Sequence, residues 1–370
     1  MAKCLFLLGL ITGLLVLLPC TIAVEMNDIF TVQSGTGDGG CDDRADVLDQ
    51  WLSECIQSID VTLLAMDRYD RDVRVRRALS TIFGLRNSGR LGGSGTRARL
   101  TFNTIRDYIE FIGNFFNQQQ KDGGGNMYPS SGFWLFCDST FLALHNPTDP
   151  ASDYKGEPIL DENGDPVPIR DVPEYQMRLE EDPNNEPWWS GDLTDLNGYY
   201  FTEYGGNYCY EDDLGVTAGI EPLGGDEVGQ DVVSVILCPY SFENGQRPDS
   251  YQDANNLLRA GTNLADAIPK SATLLHEAFH AIHGGIFLAG DNERYDIATC
   301  LNLATTDPVS AQHNPENYVF FIAHMYHMFG VEEGNEPWSI HTQWNFDVIG
   351  TGQNRIYGAV ETEHTEGLSA

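Results

Sequence analysis

Two histidines and a glutamate within one predicted helix have the types and the spacing of a metal site. The stretch 271–285 contains one His-Glu-x-x-His, in which His276 and His280 are four residues apart. On an α-helix such residues share a face, so both imidazoles can reach one ion, while Glu277 lies beside them and off the ligand line. A carboxylate placed there can take a proton from metal-bound water. The pattern is typical of a zinc metalloprotease.

The residues around this motif predict the helix that it needs. Apolar side chains recur at helical spacing and can be buried against a core: Leu275, Ala278, Phe279 and Ile282. Ser271 can cap the start of the helix, and Gly284 can end it just after the histidines. His283 shares the ligand face but lies about 10.5 Å of helix rise beyond His276, too far for both to bind one ion. We predict that His283 lines the cleft or supports a ligand.

Upstream of the motif, helical spacing gives way to strands, which predicts an α+β fold with a mainly helical N-terminal half and a small mixed sheet. Apolar residues have helical spacing through 41–85 and again through 102–116. Strands are predicted at 133–137, 199–204 and 232–238. The polar, proline-interrupted stretch 146–187 is predicted to be a long surface loop without a core of its own, and 215–230 a second such loop.

Downstream of the motif the chain is again predicted to be helical. The stretch 293–304 has helical spacing. Two short helices should start at Pro308 and Pro315, because each proline directly follows a capping Asp or Asn. The second helix carries His324 and His327, which we predict to lie at the edge of the core or on the surface.

The N-terminus has the pattern of a secreted protein. Residues 1–23 combine Lys3, an apolar core and a small-residue cleavage site, which predicts a signal peptide. We expect a helical part at 24–130, a catalytic part with long acidic loops at 131–350, and a flexible tail at 351–370. No later apolar run is long enough to cross a bilayer. The expected product is an extracellular monomer that does not contact membranes once the signal is removed.

Six cysteines remain after the predicted signal: Cys41, Cys55, Cys137, Cys209, Cys238 and Cys300. An even number in an oxidising compartment predicts three disulfides, and the sequence does not choose among the possible pairings. Their wide separation argues against a cysteine zinc site, which would show close pairs.

The charge is strongly negative, with 21 Lys and Arg against 55 Asp and Glu and a net charge of -34. This balance excludes nucleic acid as an expected partner, since binding to phosphates needs the opposite sign. Cationic peptides would be attracted to such a surface, but an acidic shell that serves solubility explains it equally well.

From the metal helix onwards, the chain resembles the aspzincins, the group of the fungal deuterolysins and peptidyl-Lys metalloendopeptidases. That family continues its His-Glu-x-x-His with Gly-Thr-x-Asp-x-x-Tyr-Gly, and Tyr295 matches this tyrosine. The resemblance covers roughly 231–329 and extends to a further set of residues: Ile236–Pro239, Cys300, Leu301, Leu303, Ala304, Asp307, Pro308, Ala311 and the run Asn314–Tyr318. It implies a zincin-like metallopeptidase domain, Zn²⁺ as the cofactor, and a role for Tyr295 in stabilising the oxyanion.

This chain departs from the family where the third zinc ligand should be, although a catalytic zinc site needs three protein ligands. Counting back from Tyr295 places Asn292 where the family has its ligand Asp, and Asn brings no charge to a metal. A one-residue slip makes Asp291 the predicted third ligand. Asp296 and Glu293 stay open as alternatives, as do a water, a distant residue or a lost ligand. Asp291 or Asn292 can also simply cap the next helix.

These residues predict a secreted zinc metalloendopeptidase, a hydrolase that acts on peptide or protein substrates. His276, His280 and Asp291 would hold the zinc. Glu277 would deprotonate the zinc-bound water for attack on the peptide carbonyl, and a strand such as 232–238 would hold the substrate by edge pairing. The rival hypothesis is a catalytically inactive secreted zinc-binding protein, either a degenerate protease or a metal scavenger. A third is a disulfide-stabilised interaction protein without metal.

Overall fold

In the computed structural model, one buried helix lies between a small sheet and a group of longer helices. The structure describes residues 24–86, 96–118, 132–191, 197–202, 208–210, 212–224, 232–330, 344–350 and 355–361. The predicted signal peptide, 1–23, lies outside these residues. The predicted α+β class, with its helical N-terminal half and small mixed sheet, is confirmed.

The described elements are numbered in chain order. The helices are α1 Met26–Ile29, α2 Ala45–Met66, α3 Val73–Phe83, α4 Thr96–Phe116, α5 Pro173–Glu181, α6 Pro239–Glu243, α7 Tyr251–Leu257, α8 Ala272–His283, α9 Ile297–Thr306, α10 Pro308–Ala311 and α11 Pro315–Phe329. The strands are β1 Thr31–Val32, β2 Phe133–Phe136, β3 Ala143–Leu144, β4 Glu186–Trp189, β5 Tyr199–Thr202, β6 Gly215–Ile220, β7 Val232–Leu237, β8 Trp344–Ile349 and β9 Ile356–Glu361. The three predicted strands and the two helix starts at Pro308 and Pro315 are confirmed.

The sheet beside the buried helix has the strand order β1-β2-β7-β6. Strands β1, β2 and β7 are parallel, and β6 runs antiparallel to β7 with Gly215 opposite Leu237 and Ile220 opposite Val232. Helix α8 packs against β6 and β7 and also contacts α2, α4 and α11. The helix that carries the His-Glu-x-x-His therefore lies next to the edge of the sheet.

The predicted helical stretch 41–85 contains two separate α-helices, α2 and α3. Helix α2 buries Leu52 and Ile59 at helical spacing, as the sequence predicts. Asp72 starts α3, because its side-chain Oδ1 accepts a hydrogen bond from the backbone N–H of Arg74 at 2.8 Å. Apolar spacing continues in both helices, so periodicity alone did not show the break.

The prediction that 215–230 is a loop is wrong for its first residues, which form the strand β6. Gly215-Val-Thr-Ala-Gly-Ile has two glycines and no continuous apolar run, and most of its residues are only half-buried. An edge strand needs little apolar surface because β7 pairs with only one of its sides. The strand signal in this sequence is therefore weak.

The stretch 146–187 also has more structure than predicted. It contains the helix α5 and the start of β4, and it buries Ala151, Ile169, Val172 and Tyr175 in a cluster with Tyr199 and Leu223. The stretch is therefore not a structureless loop, but its few apolar side chains share a core with residues from later in the chain and do not form one alone.

The predicted flexible tail, 351–370, contains the strand β9. This strand pairs antiparallel with β8, with Phe346 opposite Ala359, and it buries Tyr357. The alternation of apolar and polar residues from Trp344 to Val348 is typical of a strand, but the prediction for 351–370 did not take it into account as a partner.

Two disulfides form among the described residues, Cys41–Cys137 and Cys209–Cys238, whereas three were predicted. Cys55 and Cys300 are free and buried. Each is held in a separate helix, where its Sγ donates to a backbone carbonyl, that of Ser271 for Cys55 and that of Arg294 for Cys300. The even count therefore overestimated the number of disulfides.

None of the described helices is long and apolar enough to span a bilayer.

Candidate metal centre

The helix α8 is fixed at both ends, which sets the position of its histidines. Ser271 occupies the N-cap position, as predicted, but its hydroxyl donates to the Glu54 carboxylate of α2 and makes no cap hydrogen bond. Glu54 also accepts from the backbone N–H of Tyr251 at 2.6 Å. At the other end the helix stops at Gly284, whose φ of 50° is in the left-handed region that favours glycine.

Three ligand atoms converge between α8 and the loop that follows it. Oε1 of Glu293 lies 3.0 Å from Nε2 of His276 and 3.3 Å from Nε2 of His280. Ligand atoms bound about 2 Å from a tetrahedral zinc lie about 3.3 Å from one another, so the observed spacing matches a zinc site. Among the described residues, these three form the group that can hold a metal ion.

The buried carboxylate of Glu293 supports the same assignment. Oε1 of Glu293 is buried and has no satisfying hydrogen bond, although two imidazole nitrogens face it. If both imidazoles are neutral and point lone pairs at this oxygen, a cation between the three atoms removes the conflict. Burial raises the pKa of Glu293, but the neighbouring imidazoles of His276 and His280 outweigh it and lower the pKa to about 2. Glu293 therefore offers a charged oxygen, a ligand type that zinc accepts.

The structure distinguishes the residues that were considered for the third ligand. Asp296 caps α9: its Oδ1 accepts from the backbone N–H of Thr299 at 2.9 Å, and its side chain is exposed. Asp291 lies in the 3₁₀ turn Gly290–Asn292, and its side chain is outside the described part of the structure, so its role as ligand stays a prediction. Glu293, which the sequence left open as an alternative ligand, is the acid that forms a group with both His276 and His280.

Glu277 lies between α8 and the edge strand, with 4% of its surface exposed. Its Oε2 accepts a hydrogen bond from Oγ1 of Thr217 at 2.8 Å. A Cβ atom on Gly215 would lie 3.1 Å from its Oε1, so the missing side chain leaves the space that this carboxylate occupies. Burial raises the pKa of Glu277, against the opposing effect of His276 and His280, and makes it a stronger base than an exposed glutamate.

The hydrogen bond from Thr217 is expected to aim Glu277. For the peptide hydrolysis predicted from the sequence, Thr217→Val removes the hydroxyl with little change of shape and should lower kcat/KM about tenfold, the equivalent of one lost hydrogen bond to a charged group. Thr217→Ser, which keeps the hydroxyl, should retain most of the rate. Steady-state kinetics on zinc-loaded protein measure both variants, and a fully active valine variant would contradict this role.

Tyr295 lies at the mouth of the site. Its hydroxyl donates to Oε2 of Glu293 at 2.8 Å, and its ring stacks beside the His276 ring with centroids 5.8 Å apart. The side chain is largely accessible, with 58% of the residue exposed. Burial of the hydroxyl and the nearby Glu293 carboxylate raise the pKa of Tyr295, so it keeps its proton and can donate it in a hydrogen bond.

A cleft of about 700 Å³ opens onto these groups. Its lining includes His276, His280, Glu277, Glu293 and Tyr295, together with the first residues of β6 and two tyrosines from the preceding segment, Tyr208 and Tyr210. The prediction that the strand at 232–238 holds substrate by edge pairing is wrong, because this strand, β7, is paired with β2 on one side and with β6 on the other. Among the described residues, β6 is the edge strand that faces the cleft.

Three further histidines named from the sequence, His283, His324 and His327, take structural places. His283 was predicted to line the cleft or support a ligand, but it packs among Tyr108, Phe279 and Phe287. Burial lowers the pKa of His283 to about 4. His324 and His327 are inside the core and not at its edge, and burial lowers the pKa of His324 to about 3 and that of His327 to about 4.

No protein-family profile matches the sequence, and no curated protein is similar to it. Among solved structures, the chain is similar to a zinc peptidase from Grifola frondosa, with 14% sequence identity, a TM-score of 0.31, and coverage of 75% of this chain and 93% of that chain. A likeness this distant assigns no residue, and the chemistry of the cleft follows from its own side chains.

Proposed function

We propose that this protein is a zinc-dependent endopeptidase. The observation that carries the proposal is the convergence of His276, His280 and Glu293 on one point, with Oε1 of Glu293 at 3.0 and 3.3 Å from the two Nε2 atoms. Two imidazoles and one carboxylate are the ligand set of a known class of catalytic zinc sites, in which one position is kept for water or substrate.

Zinc fits these donors in type, charge and spacing. When bound, it polarises the carbonyl of the substrate and lowers the pKa of a water at the site. Glu277 does not belong to the ligand group, and Thr217 holds its carboxylate in the cleft. In this proposal Glu277 accepts the proton of the attacking water and later passes it to the leaving amine.

Tyr295 is proposed to stabilise the transition state. Its hydroxyl is bound to the outer oxygen of Glu293, so it is already at the mouth of the site and needs only a side-chain rotation to donate to a developing oxyanion. This role is distinct from that of Glu277, because a donor that helps only the transition state affects kcat more than substrate binding.

An extended peptide is the proposed substrate. The edge strand β6 lies along the cleft, and Gly215, Val216 and Thr217 line it directly. A peptide laid against this edge can add its own backbone hydrogen bonds as a further strand.

The two disulfides support an oxidising compartment, and we propose that the protein is secreted.

Removal and return of the metal test the proposal. Treatment with a strong chelator should reduce cleavage of casein to background, and one equivalent of Zn²⁺ per chain should restore it, because the ligand group accommodates one ion. Metal content by elemental analysis and a casein assay on the same samples measure this. One bound zinc without turnover would instead favour the inactive zinc-binding protein, and activity that survives complete removal of the metal would contradict the proposal.

A further inference from the structure

His276 lies between two carboxylates on opposite sides of its ring. Nε2 faces Glu293 at 3.0 Å, and Nδ1 faces Oε2 of Glu316 at 2.9 Å. Glu316 is 6% exposed and comes from the first turn of α11, far from the motif in sequence. Because one imidazole cannot direct both nitrogens at the same ion, Glu316 cannot be a ligand alongside His276 and Glu293 at this centre.

We propose that Glu316 is a positioning residue for the metal centre, an inference that rests on the proposed zinc site. A carboxylate at 2.9 Å from Nδ1 keeps the proton on that nitrogen and leaves the lone pair of Nε2 free for the metal. It also fixes the rotation of the ring and makes Nε2 a better electron donor. His276 is thereby held as a ligand before the metal arrives.

The fold ties Glu316 to the loop that carries the acidic ligand. Asn314, the N-cap residue of α11, accepts from the backbone N–H of Arg294 through Oδ1 at 2.9 Å and donates to the Arg294 carbonyl through Nδ2 at 2.9 Å. Arg294 directly follows Glu293. The same amide donates to Asn317 at 2.8 Å, so the start of α11 and the ligand loop form one hydrogen-bonded unit.

This arrangement sets the distance between the two carboxylates across the ring. Glu293 directly precedes Arg294, which is hydrogen-bonded to Asn314, and Glu316 is two residues after Asn314. The carboxylate on one side of the His276 ring therefore cannot shift without the carboxylate on the other side. The buried ring between them therefore has one orientation. Because the His276 ring is already fixed, binding of an ion costs no rotational entropy of that ring, and the affinity for the ion is higher.

Zinc affinity of the full secreted chain tests the proposal. Glu316→Ala should weaken Zn²⁺ binding by about 10- to 100-fold, the usual effect of removing the partner of a ligating histidine. Glu316→Gln keeps an oxygen that can accept a hydrogen bond from Nδ1–H of His276 but removes the charge, and should lose less affinity than the alanine variant. Competition with a chromophoric chelator of known affinity measures both, and thermal unfolding of the metal-free proteins reports structural damage separately.

Asp213→Asn is the matched control for charge, because Asp213 lines the same cleft. Its zinc affinity should stay within about threefold of the wild type, since exposed charges are screened by solvent and salt. A Glu316→Ala variant that folds and binds zinc with wild-type affinity would overturn the proposal; should the alanine variant fail to fold, wild-type zinc affinity in a Glu316→Gln variant that unfolds at the wild-type temperature would overturn it. An equal loss in Asp213→Asn would also overturn it, since the effect would then be charge alone.

The outcomes separate this inference from the proposed function. Wild-type protein that binds zinc without cleaving peptides, together with weakened binding in Glu316→Gln, would remove the peptidase and keep the positioning role. Full peptidase activity in the wild type with unchanged zinc binding in both Glu316 variants would keep the peptidase and remove the positioning role.

Discussion

Replacement of Glu277 by Gln is expected to lower the rate of peptide hydrolysis by about 10³-fold, within the range that a general base contributes. The glutamine has nearly the same shape and can still accept the Thr217 hydrogen bond through its amide oxygen, so the cleft should keep its form. It cannot accept a proton from water at neutral pH. Single-turnover and steady-state kinetics on a fluorogenic peptide with zinc-loaded protein measure the loss.

The control for this variant is its metal content. Glu277 is not in the ligand group of His276, His280 and Glu293, so Glu277→Gln should bind one zinc with an affinity close to that of the wild type. Wild-type zinc content with lost turnover assigns Glu277 to the proton-transfer step. A glutamine variant that retained more than about a tenth of the wild-type rate would remove Glu277 as the base, since a positioned base contributes at least 10²-fold.

Replacement of Glu293 by Gln should weaken zinc binding by more than about 100-fold, beyond the effect expected for the partner of a ligand. The change removes the charged oxygen that faces both imidazoles and leaves a weaker neutral donor. Hydrolysis should disappear with the metal and return partly when zinc is in large excess. Isothermal titration of the metal-free protein with Zn²⁺ measures the affinity.

Asp291→Asn is the matched variant, because Asp291 is the ligand predicted from the sequence. It also removes one carboxylate, two positions away in the same loop. If Glu293 is the ligand, Asp291→Asn should bind zinc about as tightly as the wild type. Loss of zinc in Asp291→Asn with normal binding in Glu293→Gln would reverse the assignment.

The sequence was informative where the chemistry is local. His276, Glu277 and His280 lie within two turns of one helix, so the period of that helix alone predicts that the two imidazoles share a face. The short helices at Pro308 and Pro315 were predictable for the same reason, because a capping residue and a proline are adjacent in the chain.

The parts that were missed depend on residues distant in sequence. Glu293 is a ligand candidate because of where the loop folds back, whereas counting back from Tyr295 reached Asn292, and a one-residue slip from there led to Asp291. A glutamate carries one more methylene than an aspartate, so it can reach the histidines from a different position in the loop. Glu316 is 40 residues from the histidine that it contacts, and although it lies in the run Asn314–Tyr318 that carries part of the resemblance, nothing in that run indicates the contact with His276.

The same limit applies to the edge strand. Gly215 and Thr217 lie in a stretch whose composition indicates a loop, and only pairing with β7 makes it a strand. The cysteine count likewise overestimated the number of disulfides. Cys55 and Cys300 lie in separate helices, and the thiol of each contacts a different backbone carbonyl. Both features follow from tertiary contacts that have no signature in the sequence nearby.

The space that Gly215 leaves for the Glu277 carboxylate has a consequence for homologues of this chain under the proposed function. Even a methyl group there would come within 3.1 Å of a Glu277 oxygen, closer than such contacts normally are. A homologue that keeps His-Glu-x-x-His but carries a larger residue at this strand position would have to displace its own glutamate. Under the proposed function, a small residue at this strand position would therefore mark an intact base in addition to the motif itself.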